Sequence, residues 1–363
     1  MSTESDADAL MHRGKKRTKK SLFCWNPNYE DAASDFCKAA KIYAGLCCVP
    51  KAMNAWQQAS QTYQHARNAS SAGSCLENLG AFLVETANEG NQISEYYSKG
   101  IACFEDAAKL YEEDTKYQKQ ADVLLKAARA MKNRAELTNK CRQTGGDICP
   151  PTSGSPNNTD EYKRLVQNAM RALEMSWEQE NTVPYKLLDL YQEFILQAIR
   201  QGDILTAVEA QKRMLGFVPN PPSNGAYDES KSVIYRLKCP NRAAKVGLEV
   251  VVLCLSCNGD DVWARQEFNR MSTLSGFQGT SEQQAAAALL AAYEERDPDQ
   301  LSEVIKSYTI FNFLLADVSR MVKKLKIGSG FVEASVPKSS NKVDASPPCV
   351  GNVEEELDPE DLR

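Results

Sequence analysis

Histidine is almost missing: His12 and His65 are the only two in 363 residues. No glycine-rich phosphate cradle and no GxSxG elbow accompanies them, and the carboxylates recur at helix-surface spacing instead of in converging pairs. With no nucleophile, base and orienting group in prospect, an enzyme is the poorest reading, and no cofactor is expected. His65 stands beside Ala66 in an expected helix, the ordinary place of a packing or surface histidine. A basic surplus is missing too. Lysine plus arginine number 43 against 48 aspartate plus glutamate, a net charge of -5 with pI near 5.4, so nothing recommends nucleic acid as a partner. Nor is there a long apolar run. The longest, Val246 to Cys257, contains Glu249 and falls short of the roughly 20 residues of a bilayer-spanning helix. The start is acidic and then strongly basic, without the apolar core of a secretory signal. The twelve cysteines therefore read as reduced thiols in the cytoplasm, not as a disulfide framework. Cys254 and Cys257 form a CxxC with Cys239 upstream, but no second close pair or histidine stands near. They are expected to be small buried hydrophobes, and no metal site is expected.

What is present is a repeat. Lys38-Ala39-Ala40-Lys41-Ile42-Tyr43 returns as Asp106-Ala107-Ala108-Lys109-Leu110-Tyr111, 68 residues on, twice the 34-residue period of stacked helical hairpins. Gly73 and Leu76 fall halfway, so Ala39, Gly73, Ala107 and Ile42, Leu76, Leu110 make two ladders, small then aliphatic. Small residues allow helices to approach closely, and aliphatic ones fill the groove between them. A two-helix unit buries its apolar stripe only by stacking on neighbours. The pattern predicts an all-α, tetratricopeptide-repeat-like (TPR-like) superhelical solenoid of antiparallel helical hairpins, whose extended surface binds other proteins.

Breaks organise the rest. Residues 5 to 20 read as an opening helix whose polar face carries Arg13, Lys15, Lys16, Arg17, Lys19 and Lys20, followed by a short loop to Pro27. Helices then run from Tyr29 to Gln143, with breaks near Pro50, Ala69 to Gly73, Gly90-Asn91 and Asp114-Thr115. The glycine, proline, serine and asparagine cluster at 145–159 cannot continue a helix and reads as a mobile inserted loop. Helices resume at Asp160, break at Val183-Pro184, turn at Gly202-Asp203 and pass a loop from Pro219 to Asn224. The last are expected at Lys231 to Asn258, Asp260 to Ser275, Ser281 to Glu295 and Pro298 to Leu325. Residues 328–363 hold too few large apolar side chains to order themselves and are expected to be disordered.

The two ends differ in charge. Beside the basic helix, Leu22, Phe23 and Trp25 are unusual loop residues, a combination that anionic lipid interfaces attract. The same three residues would serve equally to staple the first helix onto the repeats. At the other end the last ten residues hold six acids, with the aliphatic Leu362 set among them.

One stretch resembles a known family. Leu22-Phe23-Cys24-Trp25-Asn26-Pro27-Asn28-Tyr29-Glu30-Asp31-Ala32-Ala33-Ser34, running into Lys38-Ala39-Ala40, is similar to the opening of the gamma branch of the SNAP family, the soluble attachment proteins of the N-ethylmaleimide-sensitive fusion ATPase (NSF). Gly276-Phe277-Gln278-Gly279 and Leu289-Leu290-Ala291-Ala292-Tyr293-Glu294-Glu295-Arg296-Asp297-Pro298-Asp299-Gln300-Leu301-Ser302-Glu303-Val304 resemble its last hairpins, in the same order over roughly residues 8 to 328. The resemblance implies a twisted sheet of helical hairpins capped by a C-terminal helical bundle, dividing the chain at 1–28, 29–258, 259–327 and 328–363. It also implies an adaptor that coats an assembled SNARE complex and recruits the NSF hexamer, an AAA+ ATPase, without hydrolysing anything itself. Such an adaptor is cytoplasmic and peripherally associated with intracellular membranes.

The resemblance further implies roles for single residues. Leu22, Phe23 and Trp25, with Lys19 and Lys20, stand where relatives touch membrane. Glu294 and Glu295, with Asp260 and Asp261, match acids that meet the ATPase, although Ala291 stands where alpha relatives carry another glutamate. Glu360, Asp361 and Leu362 resemble an alpha-type ending in which the penultimate leucine stimulates ATP turnover. Lys116 and Lys186 are assigned to the SNARE-facing side, which meets an acidic bundle, while Asp122, Asp189 and Glu193 fall near positions where alpha relatives place lysines. The alternative is a TPR-type scaffold for a different helical or peptide partner.

Overall fold

Helix starts follow from side chains that accept backbone hydrogen bonds. Thr3, Asn28, Asp203, Asp260, Thr280 and Asp297 each precede a helix and accept from an N–H in its first turn. The computed structural model describes residues 3–19, 27–89, 93–143, 157–217, 227–257 and 259–327. In chain order its helices are α1 (Glu4–Thr18), α2 (Tyr29–Gly45), α3 (Val49–His65), α4 (Ala69–Glu89), α5 (Ile93–Glu113), α6 (Tyr117–Gln143), α7 (Asn157–Glu180) and α8 (Tyr185–Arg200). They continue as α9 (Ile204–Leu215), α10 (Val233–Arg236), α11 (Pro240–Ser256), α12 (Asp261–Met271), α13 (Ser281–Glu295), α14 (Pro298–Ser307) and α15 (Ala316–Val322). Among the described residues the sole extended pairing is an isolated bridge between Phe217 and Tyr227. The chain is all-α, as the repeat predicts.

From α1 to α8 each helix packs chiefly on the one before and the one after it. The run is antiparallel, as the α4–α5 crossing illustrates. A Cβ on Gly80 would sit 2.9 Å from the Phe104 ring and 3.0 Å from the Gly100 carbonyl oxygen, so glycine there sets how closely the two helices approach. At α11 the pattern changes. This helix packs on α9, α10, α12, α13 and α15 together, and every residue from Val246 to Leu255 is buried. The longest apolar run of the sequence is thus the helix on which α9, α10, α12, α13 and α15 converge, buried all round instead of along one stripe.

The 68-residue echo marks a joint. α2 and α5 are three helices apart and so run in opposite directions, which means Ala39, Gly73 and Ala107 do not form one continuous ladder. Gly73 instead faces Ala107 across the α4–α5 contact, where a Cβ would lie 3.3 Å from the Ala107 carbonyl oxygen. What returns after 68 residues is a tyrosine, a turn and a lysine. Tyr43 donates its hydroxyl to Asp8 on the preceding helix and has Lys51 of the following helix 5.4 Å above its ring. Tyr111 donates to Glu77 on the preceding helix at 2.7 Å and has Lys119 of the following helix 5.5 Å above its ring. Between each tyrosine and lysine lies a residue of positive φ, Cys47 at 56° and Thr115 at 53°. The next N–H reaches back five residues, from Cys48 to Tyr43 at 2.9 Å and from Lys116 to Tyr111 at 2.8 Å. Arg67 and Gly202 close α3 and α8 in the same way.

Several expected breaks move. Ala69 to Gly73 is the first turn of α4, its small residues forming a contact face toward α5, and the break lies just before it at Ala66–Asn68. α7 begins at Asn157, ahead of Asp160, and takes in the end of the loop expected at 145–159. Lys231 to Asn258 is interrupted at Lys238, whose φ is 57°, because Pro240 starts a fresh helix at the position proline tolerates best. Pro298 to Leu325 is three pieces: α14, a 3-10 turn at Thr309–Phe313, and α15. The remainder of the inserted loop, the loop from Pro219 to Asn224 and residues 328–363 lie outside the described residues.

Candidate protein-interaction surfaces

The basic helix has two uses for its cations. Arg13 donates Nε and Nη2 to the Asp35 carboxylate at 2.9 and 2.5 Å, and Arg17 donates Nη1 at 2.7 Å. Asp35 is 1% exposed, and the hydrogen bond from Arg13 holds its carboxyl below the usual range. These arginines clamp α1 to α2 and are not part of a free basic face. Lys15, Lys16 and Lys19 are exposed and have no ion-pair partner among the described residues. Lys20, Leu22, Phe23 and Trp25 lie outside the described residues.

At the other end of the described chain, α12 and α13 bring four acids to one edge. Asp260 caps α12 by accepting from Trp263 N at 2.8 Å, with Asp261 beside it. Glu294 and Glu295 end α13, and Glu294 accepts from Arg265 of α12 at 2.8 and 2.5 Å. Tyr293 holds this edge together. A Cβ on Gly259 would lie 3.8 Å from its ring, its hydroxyl donates to the Lys326 carbonyl oxygen at 3.3 Å, and burial pushes its pKa up to about 12. Asp261 and Glu295 have no cation partner among the described residues; Glu295 is exposed and Asp261 half-buried. Next to Asp261, Val262 is 64% exposed, an apolar residue on an acidic rim that the sequence reading passed over. The capping pattern Asp260-x-x-Trp263 is the signal that could have drawn attention to it. Glu360, Asp361 and Leu362 lie outside the described residues.

The lysines assigned to the third surface are placed differently from one another. Lys116 is exposed in the α5–α6 joint, whereas Lys186, in the first turn of α8, is paired with Asp122 of α6. Lys186 and Asp122 line a groove across α4, α5, α6 and α8 that also contains Glu77, Lys119, Lys126 and Arg129. Lys126 donates to Glu77 at 2.5 Å while Lys119 lies over the Tyr111 ring, so four cations face two carboxylates and the groove keeps a positive surplus. Asp189 and Glu193 are exposed on the same helix as Lys186. Sequence reasoning missed Lys119, Lys126 and Arg129, although their spacing of 7 and 3 along α6 places them on one helix face.

No family model matches the chain. It is similar to the gamma-soluble NSF attachment protein of Arabidopsis thaliana, at 23% identity over 342 residues that cover 94% of this chain and 98% of that protein. A structural match to the crystal structure of C. therm. Get4 covers 91% of this chain and 92% of that one at 13% identity, with a TM-score of 0.23 that is too low to carry anything over.

Proposed function

We propose that this chain is an attachment protein of SNAP type, an adaptor without enzymatic activity of its own. It binds an assembled SNARE complex and recruits and stimulates the NSF hexamer, which takes that complex apart in vesicle trafficking and membrane fusion. The observation that carries the reading is the colinear match to a gamma-soluble NSF attachment protein along nearly the whole of both chains. A stack of helices suits the task, because it offers a large preordered surface on which many modest polar contacts add up.

On this reading Asp260, Asp261, Glu294 and Glu295 face the ATPase, and Glu360, Asp361 and Leu362 contact it as well. Lys116 and the groove around Lys186 face the SNARE bundle, where opposite charge speeds encounter and fixes register. Lys19, Lys20, Leu22, Phe23 and Trp25 face a membrane surface, which makes the protein cytoplasmic and peripheral. One observation favours a second reading, a TPR-type scaffold for another helical or peptide partner: Lys186 is neutralised by Asp122. Retention on immobilised SNARE complex, compared with its separated strands at low and physiological salt, distinguishes the two. The attachment reading predicts salt-sensitive binding to the assembled complex alone, and the scaffold reading predicts none from a fully helical protein.

A further inference from the structure

Two thiols lie together between α2 and α4. Cys37 of α2 and Cys75 of α4 have their sulfurs 3.0 Å apart, about 1 Å more than a covalent S–S bond of about 2.05 Å. Both helices pack on α3, and Tyr63 of α3 sits close enough to both sulfurs for their charge to act on it. Cys75 is buried while Cys37 is half-buried, so a small reagent reaches one sulfur and the other waits behind it. Among the described residues no other two sulfurs lie within hydrogen-bonding distance, and Cys254 is buried in the core of α11.

We propose that Cys37 and Cys75 form a redox-sensitive pair that low-molecular-weight disulfides convert into an intramolecular disulfide tying α2 to α4 across α3. The Cys37 thiolate attacks one sulfur of the reagent RSSR, forming a mixed disulfide and releasing RS⁻. The Cys75 thiol then gives its proton to solvent and attacks Sγ of Cys37, releasing the second RS⁻. The two protein thiols lose two electrons and two protons, and RSSR is reduced to two RSH. The assignment of nucleophile and resolving thiol follows the environment. The thiol–thiol contact and the Lys41 ammonium favour the Cys37 thiolate, whereas that contact and burial disfavour charge on Cys75, and Cys37 is also the sulfur that a reagent reaches. The inference stands independently of the attachment-protein reading.

The test uses the purified full chain in a series of oxidised to reduced glutathione ratios, quenched with an alkylating agent and mapped by peptide mass spectrometry without reduction. The expected result is a linked peptide pair containing Cys37 and Cys75, the loss of two alkylatable thiols, and full recovery with dithiothreitol. Oxidation should also raise the thermal midpoint of wild type and leave that of Cys37→Ser unchanged. Cys75→Ser should stop at the glutathione adduct on Cys37. Full alkylation of both thiols while the exposed Cys47 forms adducts would overturn the proposal, as would a link from Cys37 to any other cysteine.

Discussion

Asp35 receives two guanidinium groups from a helix at the start of the described chain, and the clamp depends on its ionisation. Replacing it with asparagine keeps the shape and leaves Arg13 and Arg17 facing a neutral amide. Because both arginines are partly solvated, the loss on Asp35→Asn should be about 2 kcal/mol, below the cost of breaking a fully buried pair. The folded pKa lies below the unfolded value near 3.9, so this stability is present above that value and is lost as pH falls through the lower folded one. Acid unfolding of the variant should accordingly lose part of its pH dependence below about pH 4.

Glu249 presents the opposite sign. It is 4% exposed, and burial pushes its pKa up to about 7 although Leu315 N donates to it at 2.7 Å and Gln211 Nε2 at 2.8 Å. The folded chain therefore holds a proton that the unfolded chain has lost between about 4.3 and 7, and stability declines as pH rises through that interval. Glu249→Gln should remove the decline and gain on the order of 1–3 kcal/mol at pH 8. The new amide has an acceptor ready, since Gln211 Oε1 is buried without a partner and turns toward it if that amide flips. Urea denaturation of both chains at pH 5 and pH 8 measures this. An equal penalty or gain at the two values would contradict it.

At the scale of elements, the joints limit stability. Thr115 is a β-branched residue held at a φ of 53°, where glycine meets no steric penalty. Thr115→Gly should stabilise by about 1 kcal/mol, read as a higher denaturant midpoint with unchanged slope. Gly80→Ala should destabilise by about 1–3 kcal/mol, since its methyl would enter the Phe104 ring and the Gly100 carbonyl.

These elements also mark how far the sequence could be read. Helices with an aspartate, asparagine or threonine cap were legible, because the cap is a local signal. The echo of Lys38–Tyr43 at Asp106–Tyr111 was equally visible, but its meaning was not: equal spacing suggests equal helix direction, whereas α4 and α5 are each 21 residues and α2 and α3 each 17. Longer helices fit three elements into the interval where a regular array fits four. The break placed at Ala69 to Gly73 failed for a related reason. Small residues that look like a turn locally serve close packing when a neighbouring helix arrives. Lys186 was found by position, but its pairing with Asp122, 64 residues away, depends on the stack and leaves no trace in the local sequence.

For the folded unit as a whole, charge is divided between surfaces. The acidic edge of α12 and α13 retains Asp261 and Glu295 without cation partners among the described residues, and the groove of α6 retains a cationic surplus. Reversing the edge with Glu294→Lys and Glu295→Lys should weaken association with the ATPase at least tenfold while leaving SNARE retention within twofold, a separation no global loss of fold produces. Phe23→Ser with Trp25→Ser should lower liposome-dependent activity while helicity stays constant, and unchanged activity on liposomes would remove the membrane assignment.

The most direct test of the attachment reading is steady-state ATP hydrolysis by NSF with preassembled SNARE complex, with and without this protein, alongside disassembly of the complex. The account predicts that adding the protein raises turnover and dismantles the complex, and that deleting Leu362 abolishes the stimulation but not the binding. Neither binding nor stimulation by a fully helical protein, across several SNARE complexes, would contradict it.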